Sequence, residues 1–161
     1  MESISLMNKI KLIITTITLL LIDIIIKLIV KSNLALHESI KVINNFFYIT
    51  YVNNKGVAWS ILSGKVNLII IITSIIILLL TIYILKKDNY TKLDIITYSL
   101  ILSGSLGNLL DRIIYGYVID YLDFYIFNYN YPIFNFADIC IVLGIILLFL
   151  GGKNGNNIRS I

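Results

Sequence analysis

The sequence is poor in the residues that carry most hydrolytic and redox chemistry. Its 161 residues include one cysteine, Cys140, one histidine, His37, and one proline, Pro132. A single cysteine excludes an internal disulfide framework and any cysteine-rich metal site. One histidine and no His-Glu-x-x-His run remove the usual zinc-hydrolase arrangements. His37 also stands far in sequence from any partner for a Ser/His or Cys/His nucleophile system. Charge is scarce: Asp, Glu, Lys and Arg make up 14% of the chain, against about 25% in soluble domains. No basic patch interleaved with aromatic residues is present, which argues against a nucleic-acid partner. The net charge of +4 fits lysines in cytoplasmic loops instead.

What the chain does have is hydrocarbon. It is 58% hydrophobic, with a mean hydropathy of +0.92, and the excess is gathered into runs too long for a soluble core. These features predict a single integral membrane domain, all-α, with four transmembrane helices at about 10–30, 66–85, 93–114 and 133–150. A basic start before an apolar run can also mark a cleaved leader. The first run is too long for that and lacks a small-x-small site, so it predicts a retained helix. Residues 31–65 are too polar and broken to span. Their β-branched and aromatic content predicts two or three short strands, with a turn at Asn53-Asn54-Lys55-Gly56. Trp59 and its aromatic neighbours suit a membrane interface. The Gly151-Gly152 pair is read as the end of the fourth helix. Loop charges place both termini in the cytoplasm: Lys9, Lys11, Lys86, Lys87, Lys92, Lys153 and Arg159 on one side, against Lys31, Lys41, Lys55, Lys65 and Arg112 on the other.

The stretch from Gly104 to Asp138 stands out against this background. It holds Asn108, Asp111, Arg112, Asp120, Asp123, Asn135 and Asp138, and so four of the nine acidic residues. Carboxylates between hydrocarbon-seeking segments are costly and need a reason. Asp120 and Asp138 flank one short connection, each near the outer end of a helix. If that connection folds back, both carboxylates face one small volume. Two close acids in a low-dielectric site cannot both ionise easily, so they share a proton. In an aspartic protease, the ionised acid then takes a proton from water while the protonated one polarises the scissile carbonyl. Asp123 is a decoy, since its side chain need not point inward from an extended segment. Asp111 is expected to pair with Arg112 or to cap the helix end. Asp23 and Lys27, four residues apart, form either a plain ion pair near a helix end or a prop for a polar site.

The residues alone leave four classes open: an acid-pair protease, an ion or proton pathway, a structural or chaperone-like membrane protein, and a metal hydrolase built on carboxylates. A transporter would spread acids through the bilayer depth, whereas here they cluster at one end and the second helix carries no charge. A metal hydrolase lacks histidine ligands.

Five motifs in order resemble the lipoprotein signal peptidases, or signal peptidase II. The Asp-x-x-x-Lys of that family looks like Asp23 and Lys27. Its Asn-x-Gly-x-Ala loop looks like Asn54, Gly56 and Ala58, with Val57 and Trp59 where Ala and Phe are more usual. Its Gly-Asn-x-x-Asp-Arg stands as Gly107, Asn108, Asp111 and Arg112, and its Val-x-Asp as Val118 and Asp120. Its Phe-Asn-x-Ala-Asp stands as Phe134, Asn135, Ala137 and Asp138, with Phe136 between. By this resemblance, Asp120 and Asp138 are the catalytic acids. Asn54, Gly56, Asn108, Arg112 and Asn135 surround the site, and Asp23 and Lys27 support it or the fold. The resemblance implies an intramembrane aspartyl endopeptidase of the bacterial cytoplasmic membrane, with its site facing outward. Such an enzyme removes signal peptides from diacylglyceryl-modified prolipoproteins on the amino side of the lipidated cysteine. It implies no metal or other cofactor, contact with membrane lipid, inhibition by the cyclic peptide globomycin, and a 31–65 segment lying as an outer β-cradle on the membrane surface.

Overall fold

A computed structural model describes the backbone of residues 2–56, 62–127 and 129–156, and their side chains except those of 2–5 and 152–156. Four helices and four strands follow in the order α1 (Glu2–Asn33), β1 (Ser39–Ile43), β2 (Phe47–Asn54), α2 (Val66–Lys86), α3 (Lys92–Tyr115), β3 (Val118–Ile126), β4 (Tyr129–Asn130) and α4 (Phe136–Asn156). Three of the helices are long and apolar enough to cross a bilayer: Leu6–Asn33, Val66–Lys86 and Lys92–Tyr115. The apolar part of α4, Phe136–Gly151, is shorter. The residues expected at the loop motif, Val57, Ala58 and Trp59, lie outside the described residues, as do Arg159 and the side chain of Lys153.

Side-chain contacts fix the course of each helix. Ser99 of α3 donates to the Leu12 carbonyl of α1, and Lys27 of α1 reaches Asp111 of α3, so these two helices run parallel. The Ala137 amide donates to Asp23, and Gly104 of α3 meets Ala137 while Gly151 meets Leu93, so α4 runs antiparallel to both. Lys9 donates to the Leu85 carbonyl at the end of α2, where a helix leaves its last carbonyls unsatisfied. The Tyr90 hydroxyl donates to the neighbouring Ile84 carbonyl. Thr91 and Asp94 cap α3 reciprocally: the Thr91 hydroxyl accepts from the Asp94 amide, and the Asp94 carboxylate accepts from the Thr91 amide.

The helices are held together differently. α2 buries only Ile69 and Ile84 and turns a continuous apolar surface outward. α3 buries polar and small residues, including Thr97, Ser99, Ser103, Gly104, Gly107, Asn108, Asp111 and Arg112. Small residues let α4 approach α3 closely. A methyl group at Gly104 would run into the Ala137 carbonyl and lie 2.8 Å from Ile141, and one at Gly144 would lie 2.6 Å from Ile101.

The strands form one antiparallel sheet in the order β1-β2-β3-β4. It seats on the bundle end through Val30, Leu34, Tyr51, Ile119 and Tyr121. A second apolar cluster, Leu12, Ile84, Tyr98 and Leu102, closes the opposite end. Several sequence expectations are corrected here. The hairpin turn lies between Ile43 and Phe47, with Asn45 at φ 56°, and not at 53–56. Asn tolerates this left-handed conformation better than most residues. The described residues of the 31–65 segment give two strands, within the two or three expected, and the sheet extends beyond it, because β3 and β4 come from the connection before α4. α4 begins at Phe136 and not at 133, because Asn135 caps it. It runs on to Asn156 past Gly151-Gly152, which do not end it.

The close α3–α4 approach predicts that Gly104→Ala forces the two helices apart. The expected cost is about 1–3 kcal/mol, read as a lower midpoint in thermal unfolding of the detergent-solubilised protein.

Candidate active site

Asp120 lies on β3 and Asp138 in the first turn of α4, and the intervening chain folds back so that one residue, Asn135, bonds both carboxylates. Leu122 pairs with Phe134 across this fold-back. Asn135 Nδ2 donates to Asp120 Oδ1 at 2.6 Å. The same Asn135 accepts at Oδ1 from the Asp138 amide at 2.9 Å, while its own amide donates to Asp138 Oδ2 at 3.2 Å. This is a reciprocal helix cap, with Asn in the first position and Asp in the fourth. The signal was present in the sequence as Asn-x-x-Asp, where it reads equally well as two residues on one helix face.

The remaining carboxylate oxygens are also held. Asn54, the last residue of β2, donates to Asp120 Oδ2 at 2.8 Å. Its side-chain oxygen accepts from the Gly56 amide at 2.9 Å, which fixes which way the amide points. Asn108 Nδ2 donates to Asp138 Oδ1 at 2.7 Å. Asn108 Oδ1 accepts from Lys27 Nζ and from Asn135 Nδ2, both at 3.0 Å. Asp120 and Asn135 are fully buried, whereas Asp138 and Asn54 are half-buried, so the site opens on their side. Burial, and then the charge of Asp138, push the Asp120 carboxyl up to about 7.

Behind the two acids lies an ionic frame. Lys27 Nζ is 2.8 Å from Asp23 and 2.9 Å from Asp111, besides its bond to Asn108. The ammonium thus meets three oxygens, one through a hydrogen bond and two as ion pairs. Asp111 also accepts from the Ile119 amide at 3.1 Å. It therefore pairs with Lys27, and neither with Arg112 nor as a helix cap. The reason is geometric: Asp111 lies one turn beyond Gly107, on the α3 face that meets Asp23, while Arg112 points one step further round. That shared face is the signal that marks Asp111 as part of the frame. Asp23 and Lys27 are both buried, and Lys27 bonds Asn108, which in turn bonds Asp138.

Arg112 is buried as well. Its two terminal nitrogens donate to the carbonyls of Asn108 at 3.1 Å and Gly56 at 2.7 Å, and Nε has no partner among the described residues. Asp123 takes no part in the site. It stands three residues beyond Asp120 in an extended strand and accepts from Thr50 at 2.6 Å. Among the described residues, no three His, Cys, Asp or Glu side chains converge as a metal site.

All seven supporting residues expected from the sequence thus converge with Asp120 and Asp138. This arrangement can be compared with known proteins. The profile of the family described as Signal peptidase (SPase) II matches residues 15–152. A lipoprotein signal peptidase of Halothermothrix orenii is 43% identical over 137 residues, which cover 85% of this chain and 91% of that one. A lipoprotein signal peptidase of Staphylococcus haemolyticus is 38% identical over 137 residues, covering 85% and 87%. Two bacterial membrane enzymes solved by the in meso method superpose with TM-scores of 0.85 and 0.78, at 34% and 36% identity. The first covers 92% of this chain and 91% of its own, the second 87% and 90%. A match over most of the chain, in sequence and in fold, shows that this protein belongs to the signal peptidase II family, the lipoprotein signal peptidases.

Proposed function

We propose that the chain removes signal peptides from diacylglyceryl-modified prolipoproteins, with Asp120 and Asp138 as a proton-sharing acid pair. One observation carries this reading: Asn135 bonds both carboxylates at once, in a site closed by protein behind and open beside Asp138. The ionised acid draws a proton from water, which attacks the scissile carbonyl. The protonated acid donates to the carbonyl oxygen, giving a tetrahedral diol; the acid that took the water's proton then passes it to the leaving amine as the C–N bond breaks, and the donor acid takes back the proton of a diol hydroxyl. Arg112, whose guanidinium meets only carbonyls and no carboxylate within bonding distance among the described residues, stands ready to hold substrate. Lys27, Asp23, Asn108 and Asn54 orient the acids.

The four helices are read as four spans, with both termini in the cytoplasm and the sheet on the outer face of the bacterial cytoplasmic membrane. α4 supports this despite its short apolar part, since its 21 residues reach about 31 Å. The site then lies at the bilayer rim. A lipid-modified cysteine, tethered by its acyl chains, presents the bond on its amino side at this depth. The sheet, including the 31–65 segment, rests on the surface as a cradle, and globomycin is expected to occupy the same cleft. A transport function has less support. The buried charges Asp23, Lys27, Asp111, Arg112, Asp120 and Asp123 all lie in the sheet-bearing half, and α2 offers no polar path.

Four outcomes test this reading. Asp120→Asn and Asp138→Asn each lower cleavage of a diacylglyceryl-modified precursor by at least about a thousandfold without loss of the fold. Retained cleavage by either variant removes that acid from the mechanism. Cleavage also falls as pH rises above about 7, where Asp120 loses its proton. Stability follows the same group. Its folded-state pKa lies above the ordinary 3.8, so the folded state binds more protons than the unfolded one in that window, and stability falls between pH 3.8 and about 7. Unfolding measured across this range is flatter in Asp120→Asn. Lys27→Met leaves Asp23 and Asp111 facing each other without a cation. It costs about 3–5 kcal/mol in thermal unfolding, and Asn108 loses the bond that aims it at Asp138.

A further inference from the structure

The face of the sheet away from the acid pair carries a second polar construction. Asp123 is only 4% exposed. Its Oδ2 accepts from the Thr50 hydroxyl, but Oδ1 is buried with no partner among the described residues. Asp123 lines an open-mouthed cavity of about 360 Å³ together with Ser39, Asn45, Tyr48 and Tyr125. No ammonium or guanidinium lies within ion-pair distance of it among the described residues. Lys41, which faces Tyr48 in the ladder, is exposed. A carboxylate held this way, without a cation, costs several kcal/mol unless something meets it.

Proton accounting says what kind of group the cavity accepts. Thr50 has one hydroxyl proton, and it goes to Asp123. The Ser39–Thr50 contact at 2.8 Å must then use the proton of Ser39. That leaves the Ser39 oxygen as an acceptor with no donor of its own, in the same cavity lining as Asp123. Two acceptors and a negative charge call for a cation with several protons to give. The other wall is aromatic: Tyr48 and Tyr125 meet edge to face, 5.3 Å between centroids. Their hydroxyls accept from the Asn45 amide and, at 3.5 Å, from the Asn130 side chain. Aromatic faces attract organic cations. The volume suits a headgroup-sized molecule better than a bare ion, and one carboxylate is a poor cage for a divalent metal, which takes six or more oxygens when it is calcium.

We propose that Asp123, Ser39, Tyr48 and Tyr125 form a binding site for a primary ammonium group on the sheet face opposite the acid pair. The ammonium comes from a free small amine or from an aminolipid headgroup at the membrane surface. Only the second source rests on the sheet lying at that surface.

The test titrates the full-length protein in detergent with ethanolamine, followed by saturation-transfer NMR. Ethylene glycol is the uncharged comparison and potassium chloride the competing cation. Saturable ethanolamine binding is expected, with ethylene glycol at least about tenfold weaker and no displacement by equimolar potassium. Asp123→Asn keeps an acceptor for Thr50 and is expected to weaken ethanolamine at least about tenfold while precursor cleavage is retained. Tyr125→Leu leaves the carboxylate untouched and weakens binding roughly three- to tenfold, so it carries the test if the first variant does not fold. Native mass spectrometry from nanodiscs of phosphatidylethanolamine and phosphatidylglycerol separates the sources. Preferential, Asp123-dependent retention of the former assigns the headgroup, and no preference assigns the free amine. Absence of saturation, equal binding of ethylene glycol, equal displacement by potassium, or binding unchanged in both variants overturns the proposal.

Discussion

One ammonium group holds the polar half of this molecule together. Lys27 reaches Asp23 on its own helix and Asp111 and Asn108 on α3. Each partner carries the connection onward: Asp23 to the first turn of α4, Asp111 to the start of β3, and Asn108 to Asp138. Removing two carboxylates and a cation from water is costly, and the cost is offset only when every proton and lone pair finds a partner. Here the cation meets two carboxylates as ion pairs and an amide oxygen through a hydrogen bond. The frame therefore cannot relax in one place without exposing an unpaired charge in another. That is what makes it able to hold two acids in a fixed relation.

Rigidity behind the acids is matched by openness in front of them. Asp120 and Asn135 are fully covered, while Asp138 and Asn54 are not. The asymmetry separates the two carboxyls chemically. The covered one keeps its proton up to about 7; the half-buried one sits nearer to solvent. Dividing the labour of an acid pair requires unlike surroundings, and the packing of β3 against α4 supplies them. The cap on α4 contributes as well, because the Asn135 side chain that starts the helix also touches Asp120. The backbone cannot begin that helix elsewhere without moving the dyad.

The sequence made the apolar frame legible and much of the site with it. Four hydrocarbon runs announced four helices, and α2 is as uniform in the structure as in the text. Asp120, Asp138, Asn108, Arg112 and Asn135 could be found because polar residues are rare in such company. What could not be read was which partner each would choose. Asp111 adjoins Arg112 in sequence yet meets Lys27, because the helical twist sends neighbours to different faces. Asn53-Asn54-Lys55-Gly56 looks like a hairpin turn, but the turn sits between Ile43 and Phe47 instead. Asn54 ends its strand bonded to Asp120, a long-range choice that local turn chemistry does not register. The fourth strand and the register of β3 likewise depend on contacts that only the folded chain supplies.

Asp120 and Asp123 show how far position outweighs residue type. They share a strand, a side-chain type and near-complete burial, three residues apart. Asp120 has both oxygens bonded by amides that are themselves fixed, and a like charge beside it. Asp123, which lines a cavity, has one oxygen bonded by a hydroxyl and the other buried with no partner among the described residues. A carboxylate with both oxygens bonded has its charge and proton set by the protein. One with an unbonded buried oxygen still has a partner to find. The alternation of a β-strand is enough to send the two acids to opposite faces. On the roles proposed for them, a single strand contributes to a reaction on one side and to recognition on the other.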